Sequence, residues 1–428
     1  MSERQLNTAT AFHTAQDFPA AKAWLERAGD LPPFNNGNVS GSDLAGMRDD
    51  FLRLHAASIY DHLTRQKTCS HRLTALIREV SRALPGMIPN LSMQGDESSA
   101  PSRETADLIL AQAQTVNAFL SDPSSGLHLL SSMRRPAEKS DTLIHTYASM
   151  GRVILPTLKL QRIEGIGYIT LLNQSCLNAE DLPLLADLEA AVDLVLMDEQ
   201  TRTGVLRGGI MTHPRFDNKR VFCSGLNLKA LSHGQIPLIE YVLSREMGLM
   251  NKLMHGLLQE DDSGALHCIR KPWIAAVDSF AIGGGLQLLL AVDCVIAESD
   301  AWFSLPAARE GFVPGLANLR LTRFTGARLA RKLILGGHVI RATDSDADRL
   351  CDYVVPAENM ESTIASCAAI LSEASATANL QLLCNSEETQ DMLRLYLAEF
   401  ALVQAKRMIS PEVTEKAKAF VKQRGVTA

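Results

Sequence analysis

Apolar positions in the first third of the chain repeat at helical spacing. Leu44, Met47, Phe51, Leu54 and Ile59 fall on one face, which predicts a helix over 43–66. The stretches 71–84 and 105–120 suit helices as well, and the Ser-, Pro- and Gly-rich run 94–103 between them predicts a loop. Near residue 152 the pattern changes. The stretches 153–160 and 167–172 read as strands, and Asn178 or Asp181 is placed to cap a helix over 182–197. A short strand over 220–223 ends at Ser224-Gly225. An amphipathic helix follows over 237–254, then an apolar strand over 273–281 that runs into Gly283-Gly284-Gly285 and a new helix. A further strand covers 292–297, and from about Thr343 the chain reads as mostly helical. Strands alternating with helices imply an α/β fold with a parallel core. The expected division is a helical N-terminal domain over 1–151, an α/β core over 152–342 and a C-terminal helical region over 343–428.

Composition narrows the function. The chain has 428 residues, 46% hydrophobic and 21% charged, ordinary values for a globular protein large enough for two domains. The net charge is −6 and no basic tract appears, which argues against a nucleic-acid partner. No apolar run is long enough to span a bilayer, and the opening MSERQLNTAT does not read as a signal peptide, so a cytoplasmic location and no membrane partner are expected. Eight scattered cysteines without a C-x-x-C are expected to be reduced, with Cys223 packing as a small apolar residue. The eleven histidines include no H-E-x-x-H, so no protein-built metal site is expected.

The candidate chemistry centres on the three glycines. A strand that ends in glycines and enters a helix lets a ligand approach the backbone and offers free N–H groups at the positive end of the helix. In isolation Gly-Gly-Gly is also a simple tight turn. Here it is paired with Ser224-Gly225-Leu226-Asn227-Leu228 upstream. Downstream come Phe303-Ser-Leu-Pro306 and Glu310-Gly-Phe-Val-Pro-Gly315.

These three motifs, in this order, resemble the crotonase (enoyl-CoA hydratase/isomerase) superfamily over roughly 153–424. The resemblance implies a ββα spiral core followed by C-terminal helices. It also implies that the N–H groups of Leu226 and Gly284 form an oxyanion hole for a thioester enolate. Hydratases of the superfamily use two glutamates, and the matching positions here hold Gln287 and Ala307, neither of which accepts a proton as a carboxylate does. Within the superfamily, the helical N-terminal domain and Gln287 resemble the 3,5-dihydroxyphenylacetyl-CoA 1,2-dioxygenase branch of glycopeptide-antibiotic biosynthesis. That branch uses O2 with no metal or organic cofactor, the thioester and O2 being substrates.

The resemblance further assigns Glu180 and Arg245 to the substrate's ring hydroxyls and Gln287 to a polar site position. Leu226, Leu228, Phe312 and Val413 line an apolar O2 pocket, with Phe312 where a smaller aliphatic residue is expected. Arg220 and Lys229 meet the CoA phosphates. Phe420, with Lys422 and Arg424, belongs to a segment that closes over CoA, often from a neighbouring subunit. A homo-oligomer, a trimer or a dimer of trimers, is implied. Taken singly, each residue has a plainer reading: Glu180 as first-turn helix chemistry, Arg245 as a helix-surface cation, Leu228 and Val413 as core, Glu310 as a solvated acid. Two other functions stay open. One is another acyl-CoA enzyme on this fold (thioesterase, isomerase or decarboxylase) that uses Glu310 or Glu180. The other is a non-catalytic acyl-CoA-binding protein.

Overall fold

The computed structural model describes residues 41–89, 102–261 and 263–423. Most of the predicted loop 94–103 lies outside the described residues. The described residues divide into two compact units, one drawn from 1–133 and 390–411 and the other from 134–389 and 412–428.

The first unit is helical. Gly41–Leu63, Leu73–Ala83 and Arg103–Ser121 match the predicted helices closely, and Pro123–Met133 adds one whose short apolar spacing was not read from the sequence. Gln390–Met408 completes the unit, so a segment expected in the C-terminal region packs with the N-terminal helices. Phe119 meets Tyr60 edge-on at 5.2 Å, and Asn117 Nδ2 donates to the Ala398 carbonyl at 2.8 Å. Gly126 admits the Arg394 stem where a Cβ would lie 2.6 Å from its Cδ. Conversely, the helix Glu138–Met150, expected in the N-terminal domain, packs on helix Leu182–Met197 within the second unit.

The second unit holds twelve strands among the described residues. These are β1 (Arg152–Leu155), β2 (Leu158–Ile163), β3 (Ile166–Leu171), β4 (Thr203–Gly208), β5 (Leu257–Glu260), β6 (Leu266–Ile269), β7 (Trp273–Val277), β8 (Phe280–Ile282), β9 (Cys294–Glu298), β10 (Trp302–Ser304), β11 (Val339–Arg341) and β12 (Tyr353–Val355). Seven form one sheet in the order β1-β2-β3-β4-β7-β9-β12. It is antiparallel from β1 to β3 and parallel from β3 to β12, so the expected parallel core is present. A second sheet runs β11-β10-β8, and β5 pairs with β6 alone. Val205, Ile274 and Ile296 pack the main sheet against Met360, Ile364 and Ala368 of helix Met360–Leu371.

Several boundaries differ from the sequence reading. The apolar run 153–160 is a hairpin, because Pro156-Thr157 turn the chain between β1 and β2. The run 273–281 is two strands in different sheets. Asp278-Ser279 carry the chain across, and Trp302 N donates to Ser279 O at 2.9 Å. The segment 220–223 makes only isolated bridges, Arg220 to Ile210 and Cys223 to Ala281. Asp181 caps Leu182–Met197, its Oδ1 accepting from Leu184 N at 3.1 Å. Asn178 instead turns inward to the carbonyls of Leu171 and Val221.

Two buried ion clusters fix the 238–255 helical segment, which carries the site. Lys252, with no exposed surface, pairs with Glu189 at 2.9 Å and Asp193 at 2.7 Å on helix Leu182–Met197. One turn further along the same C-terminal end, His255 meets Glu388, on which Arg320 and Arg323 also converge. Such clusters contribute orientation more securely than net stability, since desolvation offsets much of the attraction.

Candidate active site

The site begins at two backbone segments that abut. Gly225 sits at φ +96°, and Glu180 bridges Leu226 in parallel: its N–H donates to Gly225 O at 2.7 Å and its carbonyl accepts from Asn227 N at 2.9 Å. On the other side β8 enters the helix Gly284–Leu289 through Gly283. Gly283 has φ +53°, and an added Cβ would come 3.3 Å from Gly225 Cα and 3.9 Å from Leu226 N. Glycine is required here by both its dihedral and its neighbours. Among the described residues, neither the Leu226 nor the Gly284 N–H donates to a protein acceptor. Gly285 lets the helix lie on Cys223, where a Cβ would meet Cys223 Cβ at 2.7 Å.

Facing these donors is a buried polar cluster. Arg245 is 3% exposed and Glu180 6%. Arg245 donates to Glu180 Oε1 from Nε at 3.2 Å and from Nη2 at 2.9 Å, and Nη2 also reaches Gly284 O at 3.1 Å. Its Nη1 donates to Gln287 Oε1 at 3.0 Å and to Glu246 Oε1 at 2.6 Å. Glu246 Oε2 accepts from Leu316 N at 3.1 Å, and Tyr241 Oη donates to Glu180 Oε2 at 3.5 Å. The Glu180 carboxylate fills the space beside Gly284, where a Cβ would lie 1.7 Å from Oε2. Of the residues expected from sequence, Arg245 therefore meets Glu180 and Gly284 directly, Gln287 joins through Arg245, and Leu226 joins through the backbone bridge to Glu180.

The charges here are unequal. Burial disfavours the Arg245 cation, but Glu180 and Glu246 outweigh it and hold its pKa above the ordinary arginine value. Burial raises the Glu180 pKa, Arg245 pulls it back and Glu246 adds to the rise. Two buried carboxylates share one guanidinium, so one carboxylate is left undercompensated. Burial, reinforced by Glu180, also pushes Tyr241 well above the usual phenol range. Cys223 is buried with its thiol pKa raised by desolvation, as suits a packing residue rather than a nucleophile.

The other expected positions lie apart from this cluster. Arg220 turns back to Gly208 O at 3.2 Å, and Lys229 is exposed on the short helix Leu228–Ser232. Leu228 and Val413 are buried and Phe312 is half-buried, and none joins the polar cluster. Phe420 lies on helix Pro411–Gln423 but its side chain is outside the described residues, as is all of Arg424. Ala307 is buried at the start of the short helix Ala307–Glu310. Glu310 ends that helix half-buried, and burial alone raises its pKa to about 7.

Sequence reading missed Tyr241, Glu246 and Leu316. The helix that carries the first two was expected to be α-helical, whereas Leu238–Leu243 and Arg245–Leu249 are π-helical before Met250–His255 becomes α. Within this π-helical stretch the consecutive charged side chains Arg245 and Glu246 are both buried. The available signal was two adjacent charges, Arg245-Glu246, inside an otherwise apolar stretch. Among the described residues no group of three or more His, Cys, Asp or Glu is placed to hold a metal ion, and no helix is long and apolar enough to cross a membrane. The eight cysteines are free.

Comparison with known proteins shows what the chain is similar to. A profile of the enoyl-CoA hydratase/isomerase family matches residues 161–424. The (3,5-dihydroxyphenyl)acetyl-CoA 1,2-dioxygenase of Amycolatopsis orientalis is 45% identical over 378 residues, 88% of this chain and 87% of that protein. The mitochondrial enoyl-CoA hydratase domain-containing protein 2 of Bos taurus is 32% identical over 203 residues, 47% of this chain and 61% of that protein. Among solved structures, an enoyl-CoA hydratase/isomerase from Xanthobacter autotrophicus Py2 aligns with a TM-score of 0.52 at 23% identity, over 64% of this chain and 94% of that one. An enoyl-CoA hydratase from Mycobacterium avium subsp. paratuberculosis K-10 aligns at 0.51 and 23%, over 63% and 97%. These two show the fold alone.

Proposed function

The chain belongs to the enoyl-CoA hydratase/isomerase family, and from that premise we propose that it is an acyl-CoA dioxygenase. It converts (3,5-dihydroxyphenyl)acetyl-CoA and O2 to 3,5-dihydroxyphenylglyoxylate and CoA, without a metal or organic cofactor. The observation that carries this reading is the joining of Glu180, Arg245 and Gln287 into one buried cluster against Gly284. It adds to the near full-length similarity to the Amycolatopsis dioxygenase. A hydratase needs carboxylates at the positions of Gln287 and Ala307. This chain keeps the enolate-stabilising backbone and has neither acid.

In this reading the thioester oxygen accepts from the N–H groups of Leu226 and Gly284, which stabilise the charge as Cα loses its proton. The electron-rich ring spreads that charge, with Arg245 and Glu180 at the ring hydroxyls. The carbanion gives one electron to O2, and recombination forms a Cα peroxide. The peroxide adds to the thioester carbonyl, the C–S bond breaks to release CoA, and O–O cleavage leaves the keto acid. One O2 supplies both added oxygen atoms, and the two Cα hydrogens end on the thiol and the acid. The protein's tasks are orientation, charge stabilisation and exclusion of water. Leu226, Leu228, Phe312 and Val413 line the O2 pocket, and Arg220, Lys229 and Phe420 serve CoA. The protein acts in the cytoplasm, as a trimer or a dimer of trimers.

The test follows O2 uptake and CoA release together on (3,5-dihydroxyphenyl)acetyl-CoA, with chelator present and with an anaerobic control. One O2 per CoA, insensitive to chelator and abolished anaerobically, is expected. CoA release that persists without O2 sinks the dioxygenase and makes the protein a thioesterase.

A further inference from the structure

We propose that Glu246 is a positioning residue for the reaction at this site. By tying Arg245 to the Gly315–Leu316 turn, it leaves Glu180 as the carboxylate that accepts a hydrogen bond from the substrate. The inference rests on the aryl-acetyl-CoA reading above. Glu246 is 3% exposed, next in sequence to Arg245, and buried with it in the π-helical stretch Arg245–Leu249. Both of its oxygens are taken: Oε1 by Arg245 Nη1 at 2.6 Å and Oε2 by Leu316 N at 3.1 Å. The turn is shaped to it. Gly315 has φ +43°, and a Cβ there would fall 2.3 Å from Glu246 Oε1 and 2.9 Å from Gln287 Oε1.

Glu180 is held differently. Both of its Arg245 bonds end on Oε1. Oε2 has only Tyr241 at 3.5 Å, the outer edge of hydrogen-bond distance, and lies against Gly284 beside the oxyanion donors. Oε2 is thus the carboxylate oxygen of the cluster with acceptor capacity to spare, and it faces the place where the acyl group must sit. The groups that act on Glu180 are Arg245, Glu246 and Tyr241 from the 238–255 segment and Cys223 from the first oxyanion segment. Of these, Glu246 is the like charge that opposes its ionisation. The π turn, the Gly315 turn and the Glu246 bridge together set which of two carboxylates answers to substrate.

The experiment is the pH dependence of kcat/KM on (3,5-dihydroxyphenyl)acetyl-CoA for wild type, Glu246→Gln and Glu246→Asp. Ionised Glu180 is the stronger, charge-assisted acceptor and has no O–H to turn toward the substrate, so kcat/KM rises with pH through its titration. Glu246→Gln removes the opposing charge, so the acid limb moves to lower pH while KM rises about tenfold from loss of the brace. Glu246→Asp keeps the charge but shortens the reach, so KM rises and the limb stays. A lower rate with an unmoved limb in Glu246→Gln overturns the proposal and leaves Glu246 a structural brace. A wild type that does not turn over this thioester sinks the functional reading instead. The Glu180 titration, read by carboxyl 13C NMR in the ligand-free protein, then decides the matter: a midpoint displaced to lower pH in Glu246→Gln supports the proposal and an unchanged one overturns it. If Glu246→Gln does not fold, Gly315→Ala pushes the same oxygen from the turn side and is expected to raise KM.

Discussion

Arg245 Nη2 donates to the carbonyl oxygen of Gly284 at 3.1 Å, so the guanidinium grips the helix turn whose own N–H is the proposed oxyanion donor. The same cation holds Glu180, Gln287 and Glu246. A lysine carries one donor centre and does not reproduce a planar fork spread over four partners. Arg245→Lys is therefore expected to lower kcat/KM by about 100-fold or more, the scale of a site misplaced by about 1 Å. Arg245→Ala also strands buried carboxylates and costs about 3–5 kcal/mol of stability. Steady-state kinetics and urea unfolding check the pair. An Arg245→Lys enzyme within a few-fold of wild type removes the cluster from the mechanism.

Gly284→Ala separates shape from charge. The added Cβ meets the buried Glu180 carboxylate at 1.7 Å, a distance no side chain tolerates, so Glu180 must leave its place. The backbone donor remains, yet kcat/KM is expected to fall by about 100-fold or more. Acyl-CoA binding under anaerobic conditions should weaken in parallel. Calorimetric titration with the thioester reads the second effect. Unchanged binding and turnover would mean that Glu180 does not border the acyl site.

How far this site was legible follows from where its residues come from. The glycine-rich turn into a helix shows in the sequence itself, whereas Leu226 and Gln287 took their expected roles from the family resemblance. Glu180 and Arg245 came only through the family resemblance, because nothing local distinguishes an inward arginine from a surface one. Glu246 was missed for the same reason, since nothing local marks an acid beside an arginine as inward rather than as part of a surface pair. The fold shows the same limit. The strand β4 (Thr203–Gly208) was not read from the sequence, and its Gly204 lets the Trp273 ring pack where a Cβ would lie 2.2 Å away. That close approach is a tertiary fact. The placement of Gln390–Met408 with the N-terminal helices is likewise set by packing that helical periodicity does not encode.

Glu388 is expected to be the acid-sensitive clamp of the second unit. Despite burial, Arg320 and His255 hold its carboxyl well below the usual range, and His255 is itself lowered to about 4 by desolvation. A depressed carboxylate contributes stability that is present above its unfolded pKa and lost as pH falls through the folded one. The contribution is thus whole at neutral pH and fades only below about pH 4.3, the ordinary Glu value. Glu388→Gln strands Arg320, which is 1% exposed, and should cost about 3–5 kcal/mol at pH 7 with a smaller loss in strong acid. Chemical unfolding at neutral and acid pH measures both. An equal loss at the two pH values would mean the pair is not linked to protonation.

Glu310 carries the opposite sign. It is half-buried, no charge offsets its desolvation, and its pKa rises to about 7. The folded state holds this proton more tightly than the unfolded chain, whose glutamates titrate near about 4.3. Its contribution is therefore fully present below about pH 4.3 and is lost as pH rises through about 7. Glu310→Gln mimics the protonated form at every pH. The variant should match wild type in Tm near pH 4 and exceed it increasingly toward pH 8. A Tm difference that does not change with pH would place Glu310 in a solvated setting. The same variant bears on the competing chemistry. If Glu310 were the base of a thioesterase or isomerase, its loss would abolish turnover together with a pH limb near 7. In the dioxygenase reading the polar cluster around Arg245 does the positioning, and Glu310→Gln is expected to keep O2-coupled CoA release within about tenfold of wild type, a change of about 1.4 kcal/mol in the barrier.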